Sequence, residues 1–312
     1  MARYALHRAL LFIPTLLGMT IVTFVIMQLT PGSPFSPSAA NGITPEMIEA
    51  LEKKYGLDKP MIERFGLYVW NSLQGDFGTS YQYRPQEVSE IIGRSFPVSL
   101  QLGTMAILLA VIVGMTLGIL AAVNQNGIID YISVTISILF YSMPNFVMGF
   151  LLILGFAVWL PAAGVDLGFR VNGWDGPRDW ILPTVALGAA PLATLARYTR
   201  ASVIEVIRSD YVRTARAKGL AQRKVILKHV LKNALIPVVT LIGPLFAAVG
   251  TGSFFVEQVF NIPGMGKYYV SSMQSKDQPM ILAVTLIFGV FLAFMNLLVD
   301  IAYGLIDPRI RY

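Results

Sequence analysis

Charged side chains are scarce in this 312-residue chain, 13% of the total, and they are unevenly placed. Ten of the 24 Lys+Arg lie between Arg197 and Lys232, and no Asp or Glu occurs between Asp210 and Glu257. In the stretch RTARAKGLAQRKVILKHVLKNALIP (213–237), Lys224, Lys228 and Lys232 recur every fourth residue, so a helix would carry them on one face. A basic face of this kind can bind nucleic acid, anchor on anionic headgroups, or dock a partner. Nucleic-acid binding needs base-reading side chains beside the charges, and Tyr211 is the only aromatic between Thr199 and Pro237. No nucleic-acid partner is therefore expected. Anchoring on membrane lipids accounts for the lysines. It does not account for the small Thr214, Ala215 and Ala217, nor for Gly219. A short helix offering small residues to a cytoplasmic partner's groove accounts for those. Residue types leave anchoring and docking both open.

Covalent and metal chemistry finds few residues to use. Cysteine is absent, which removes disulfides, thiolate nucleophiles and Cys metal sites. The two histidines, His7 and His229, make no histidine-rich cluster. There is no G-x-x-x-x-G-K-[ST], no H-E-x-x-H and no G-x-S-x-G. No catalytic residue, metal site or cofactor is expected in this chain. Ionisable residues are also rare in the apolar segments. Arg197 and Asp300 fall near expected cytoplasmic ends and Glu257 just past an external end. A charge at mid-bilayer costs at least about 2.5–3.5 kcal/mol, so carriers that keep one use it for coupling. With none here, a proton- or sodium-driven carrier is disfavoured and the driving energy should enter from elsewhere.

The elements that must position the basic stretch are membrane helices. The chain is 55% hydrophobic, with 18 Phe and 13 Tyr, and its mean hydropathy is +0.62. Six apolar segments approach the 18–20 residues a spanning helix needs: 10–30, 100–123, 132–160 with Pro144 inside, 181–198 broken by Pro191, 235–256 with Pro237 and Pro244, and 279–303. The first is too long for a signal-peptide core and no A-x-A site follows promptly. Lys and Arg in short loops set orientation. Arg3, Arg8, Arg309, Arg311 and the 197–232 cluster share one side, against Arg170, Arg178, Lys267 and Lys276 on the other. The cluster and both termini are expected to be cytoplasmic, and 31–99 external. In that external region Thr44 and Pro45 suit a helix start and Gly56 its end. A second helix is predicted near Pro60, with Phe65, Tyr68, Val69 and Leu73. A third is predicted after Pro85, with Val88, Ile91 and Ile92 on one face. The region is either a platform or a lid over the bundle. In the cytoplasmic loop, a helix is predicted from Arg200 to Lys218, a turn at Gly219, and a second helix from Gln222 to Asn233.

The run Asp210-Tyr211-Val212-Arg213-Thr214-Ala215-Arg216-Ala217-Lys218-Gly219-Leu220, followed by His229, Leu231, Asn233-Ala234-Leu235 and Pro237, resembles the cytoplasmic loop of ABC-importer membrane subunits. It is most similar to the peptide-importer branch. The general motif has Glu where Arg213 stands and Ile-x-Leu-Pro at His229, Val230, Leu231 and Lys232, and these departures are typical of that branch. The resemblance covers essentially the whole chain: Pro31-Gly32-Ser33-Pro34-Phe35, Gly75-Asp76-Phe77-Gly78 with Ser80, Ser95-Phe96-Pro97-Val98-Ser99, Gly252-Ser253 with Glu257, Ile262-Pro263-Gly264-Met265-Gly266 and Asp307-Pro308-Arg309-Ile310-Arg311-Tyr312. Ser33 favours the oligopeptide branch over the dipeptide and nickel branches.

The resemblance implies an all-α membrane protein of six transmembrane helices, the type I ABC importer permease fold, with a helical external insert after the first span. Residues 1–99 would be the first helix plus the external region, and 100–312 a five-helix core with the coupling loop 199–234. It implies a bacterial inner-membrane location, a second homologous permease subunit, two cytoplasmic ATPase subunits that bind ATP and Mg, and an external or periplasmic peptide-binding protein. Asp210, Tyr211, Arg213, Thr214, Ala215, Ala217, Lys218, Gly219 and Leu220 would form the ATPase-coupling element. Tyr141, Met143 and Asn145 around Pro144, and Gly252 with Ser253, are candidates for the translocation pathway, or ordinary packing and kinks. The expected function is oligopeptide translocation by alternating access. Dipeptide, glutathione or nickel transport, and a basic-loop membrane scaffold, are the alternatives.

Overall fold

The computed structural model describes residues 2–32, 35, 45–83, 86–170, 172–250 and 252–306. Ser33, Pro34, Thr44, Pro85 and the final Asp307–Tyr312 segment, to which the sequence reading assigned roles, lie outside the described residues, as do the side chains of Arg3, His7, Arg8 and Asp300. Regular structure among the described residues is helical, apart from one isolated antiparallel bridge between Thr79 and Glu87. In chain order the helices are α1 (Ala2–Leu29), α2 (Pro45–Lys54), α3 (Met61–Leu73), α4 (Val88–Val123), α5 (Ile128–Ser142), α6 (Asn145–Ala162), α7 (Pro177–Ile207), α8 (Asp210–Ala217), α9 (Gln222–Ala234), α10 (Ile236–Val249), α11 (Phe254–Val259), α12 (Met265–Ser275) and α13 (Gln278–Ile306). Wider π-helical turns interrupt α4 at Ala110–Gly114, α6 at Ile153–Trp159 and α9 at Val225–Val230.

Five of these helices are long and apolar enough to cross a membrane: α1, α4, α6, α7 and α13. A sixth span is made if α9 and α10, bent by 52° at Leu235, count as one. Four expectations shift. The helix expected after Pro85 is not separate; it is the start of α4, which runs through Pro97 into the second span. Proline is tolerated there because neighbours can satisfy the carbonyl it frees. The segment 132–160 is two helices, because Met143 (ψ 125°) and Pro144 (ψ 138°) are both extended. The segment 181–198 is not broken at Pro191. It is the middle of the 31-residue α7, most of whose apolar stretch is buried. The fifth segment stops at Val249, and α11 follows as a separate short helix.

The described residues fall into two compact units, 2–98 with 263–294, and 99–262 with 295–306. In the first, Val88, Ile91 and Ile92 pack with Met265, Met280, Ala283 and Val284. Buried Asp277 accepts hydrogen bonds from the Ser80 hydroxyl and from the Gln82 N–H at 3.2 Å, tying the 78–83 loop to the junction of α12 and α13. In the second unit α7 is the central helix. The C-terminal half of α4, then α5 and α6, pack around it. Small residues set that packing. A Cβ on Gly118 would lie 2.5 Å from the Ala196 carbonyl oxygen, and one on Gly114 2.6 Å from that of Leu192. Only glycine permits this approach of backbone to backbone, the usual way apolar helices gain contact where lipid offers no hydrophobic drive.

Candidate functional site

The basic stretch folds as a helix–turn–helix hung from the end of α7. The helix expected from Arg200 to Lys218 is in fact two. α7 ends at Ile207, Ser209 is extended (ψ 152°), and α8 starts at Asp210. The Ser209 hydroxyl donates to the Val206 carbonyl at 2.7 Å, and the Ser209 carbonyl accepts from the Arg213 N–H at 3.1 Å. A residue that satisfies both flanking backbones by itself favours a corner over a continuous helix. At the far end the expected stop holds. Lys218 caps α8 and Gly219 sits at φ +75°, with its N–H donating to the Arg216 carbonyl at 2.9 Å. A side chain at Gly219 would meet no atom within 4 Å, so the backbone angle alone asks for glycine there.

α8 is two-faced. Val212 and Ala215 are buried, three residues apart, in a cluster with Ala122 of α4, Val203 of α7, and Val225, Val230 and Ala234 of α9. Leu220 packs at its edge. Asp210, Tyr211, Arg213, Thr214, Ala217, Lys218 and Gly219 are exposed. The small-residue surface expected from Thr214, Ala215, Ala217 and Gly219 is thus corrected at one position: Ala215 points inward. In an eight-residue helix lying on an apolar base, the i, i+3 pair is the one that reaches it. Two hydrogen bonds fix the arrangement, Asn233 Nδ2 to the Tyr211 hydroxyl at 2.9 Å and the Ser202 hydroxyl to the Ala234 carbonyl at 2.7 Å. Arg213 and Asp210 approach to 3.7 Å on the surface. Lys224, Lys228 and Lys232 are all exposed along α9. The outer surface of α8 is therefore free, while its inner surface is packed on the ends of α4, α7 and α9.

The pathway candidates fall in two places. Gly149 in the first turns of α6 lies against Phe260, and the rings of Phe146 and Phe255 are 5.9 Å apart. The break carrying Met143 and Asn145 is thereby brought to the element that begins at Gly252 and Ser253. Tyr141 is placed differently; the Arg197 guanidinium stacks over its ring at 4.3 Å. Gly252 has φ +78°, and Ser253 caps α11 by accepting the Val256 N–H at 3.4 Å. The sequence reading underrated the charged groups. Glu257, expected just past an external end, is fully buried, and a Cβ on Gly252 would run into its carboxylate. Asp130, almost wholly buried in the first turn of α5, pairs with Arg200 of α7 through two bonds of 2.5 and 2.7 Å and accepts the Asn126 N–H at 2.9 Å. The partners are 70 residues apart, so no local pattern announces them. Among the described residues no group of three or more His, Cys, Asp or Glu could hold a metal ion.

Comparison with known proteins accounts for this architecture. Residues 114–312 match the family model described as binding-protein-dependent transport system inner membrane component, and residues 1–103 match its N-terminal counterpart. The chain belongs to this family. Curated members are similar over the whole length. The dipeptide transport system permease protein DppB of Bacillus subtilis is 44% identical, over all of this chain and 98% of that protein. The oligopeptide transport system permease proteins OppB of Haemophilus influenzae and Salmonella typhimurium are 42% and 39% identical, over all of both chains. Solved structures agree on the fold. The MetNI methionine ABC transporter in an inward-facing conformation gives a TM-score of 0.55 at 17% identity, covering 70% of this chain and 96% of that one. An amino acid ABC transporter with histidines gives 0.53 at 15%, covering 68% and 92%. The permease is a multi-pass membrane protein and a non-enzymatic component of an ABC importer. Membership in this transport family sets aside the scaffold reading.

Proposed function

We propose that this permease translocates oligopeptides across the bacterial inner membrane by alternating access, driven by ATP hydrolysed in partner chains. Its partners would be a second homologous permease subunit, two cytoplasmic ATPase subunits carrying ATP and Mg, and an external peptide-binding protein. Both termini and α8 would face the cytoplasm, and residues 31–99 the opposite side. Residues 1–99 form the first span with its external region, and 100–312 the transporting core.

One observation carries the coupling role: the exposed face of α8 is rigidly backed by a cluster that joins α4, α7 and α9. A partner gripping Thr214, Ala217 and Gly219 would move those three helices together, and a packed base transmits displacement as a rigid body. The pathway would run beside the α6–α11 contact, where Met143, Asn145, Gly252 and Ser253 interrupt the helices. Tyr141, held under Arg197, would act at its edge. Residue similarity at Ser33 supports oligopeptides, whereas the similarity to a dipeptide permease supports the shorter substrate. Reconstitution separates them. Proteoliposomes carrying both permease subunits, the ATPases and the binding protein should accumulate a labelled hexapeptide in an ATP-dependent way. Uptake of dipeptide alone would overturn the oligopeptide assignment, and uptake of neither would overturn peptide transport.

A further inference from the structure

A cavity of about 430 Å³ lies in the first unit, between the C-terminal ends of α1 and α2, one face of α3, the 76–81 loop and the first turn of α13. Its volume falls in the range of small-ligand sites. Four lining side chains are cationic, Lys53, Lys54, Lys59 and Arg64, against one carboxylate among the described residues, Asp76. Asp76 is engaged by its own loop, accepting the Gly78 N–H at 2.8 Å. Lys59 pairs with Glu63 on the surface at 2.9 Å. Arg64 is half-buried, and its acceptors among the described residues are neutral, the Gln28 and Gln278 side-chain oxygens at 3.0 and 2.9 Å. Among the described residues no carboxylate reaches it, and burial lowers its pKa. Two hydrogen bonds leave part of its five-donor fork unused. A half-buried guanidinium with no carboxylate partner among the described residues gains from an anion. Beside it, Tyr68 lines the same cavity, and burial pushes its phenol up to about 12.

The depth of the cavity indicates which anion. Phe24, in its wall, lies five residues before the end of α1, roughly 7 Å inside that end at 1.5 Å per residue. α1 is apolar enough to cross a membrane, and Ile26 and Leu29 near its C-terminal end are exposed. On α3, Ile62, Trp70 and Leu73 are exposed at 87%, 65% and 78%, so one side of that helix is apolar and open. Exposed tryptophan is enriched at headgroup level, and a short helix with one apolar and one cationic side suits the interface. Cations lining a cavity that reaches Phe24, near the end of a helix able to span, are placed to meet lipid phosphates.

We infer that this cavity binds the phosphate of an anionic phospholipid in the leaflet at the C-terminal end of α1, with Arg64 as the main charge partner and Lys59 as the second. The inference holds whichever side of the membrane residues 31–99 occupy, so it does not depend on the proposed substrate or orientation. The full chain, purified in detergent, is titrated with phosphatidylglycerol and with phosphatidylcholine, and bound lipid is counted by native mass spectrometry. Phosphatidylglycerol should bind more tightly, and Arg64→Gln and Lys59→Gln should each weaken it about fivefold, as expected for one cation near the surface, with phosphatidylcholine unchanged. Arg64→Gln also removes ties to α1 and α13, so Lys59→Gln, at an exposed position, guards against a folding artefact. Equal binding of both lipids, or unchanged phosphatidylglycerol binding in both variants, overturns the assignment. So does displacement of the lipid by equimolar glycerol phosphate or an acidic dipeptide, which would make the cavity a site for soluble anions or peptides.

Discussion

Replacing Gly219 with valine tests the corner that presents α8. At φ +75° an L residue with a Cβ costs roughly 1–2 kcal/mol, and a β-branched one falls at the upper end. No atom lies within 4 Å of the new Cβ, so the cost at that atom is backbone conformation. α8 is short and buries only Val212 and Ala215, so its local opening belongs at the low end of the stability scale. A cost of 1–2 kcal/mol then shifts the formed-to-unformed ratio of the corner about 5–30-fold. Asparagine tolerates the left-handed region and should restore most of the loss. The assay is ATPase stimulation by loaded binding protein in nanodiscs holding the whole complex, measured beside the thermal midpoint of the permease. Gly219→Val should lower stimulation several-fold with little change in the midpoint, and Gly219→Asn should stay near wild type. Equal behaviour of the two variants would show that backbone conformation at Gly219 is not what matters.

Three further predictions, each with a comparison variant, probe the packing. Ala215→Glu places a carboxylate among Val203, Val225 and Val230; it should destabilise the chain by at least about 2 kcal/mol, while Ala217→Glu should leave the thermal midpoint unchanged and reduce ATPase association in pull-downs. Asp130→Ala strips Arg200 of both its bonds, at a cost approaching about 3 kcal/mol for a mostly buried pair; Asp130→Ala/Arg200→Met together should recover part of it in the same melting assay. Gly118→Leu drives a side chain into the α7 backbone; it should cost about 3 kcal/mol or more and abolish peptide uptake, whereas Gly155→Leu, with open space around it, should be tolerated.

How much the sequence disclosed depends on whether the cause was local. The stop at Lys218-Gly219, the helix ending near Gly56 and the one opening after Pro60 all follow from caps and turns contained in a few residues, and all stand where expected. Pro191 misled because proline breaks a helix in water but not one whose freed carbonyl meets a packed neighbour. The corner at Ser209 was masked by flanking residues that favour helix on both sides. The inward turn of Ala215 depends on Ala122, Val203 and Val225, which lie far away in sequence. The Asp130–Arg200 pair was invisible for the same reason. The resemblance supplied the family from scattered motifs that no single helix would have betrayed.

The central claim is that the exposed face of α8 receives an ATPase. A photo-crosslinking residue placed at position 217, and separately at 215, in cells making the whole transporter addresses it directly. Position 217 should yield a covalent adduct containing a P-loop ATPase chain, and position 215 should yield none or only crosslinks within the permease. An ATPase adduct from 215 with none from 217, or no ATPase adduct from either, would contradict the account.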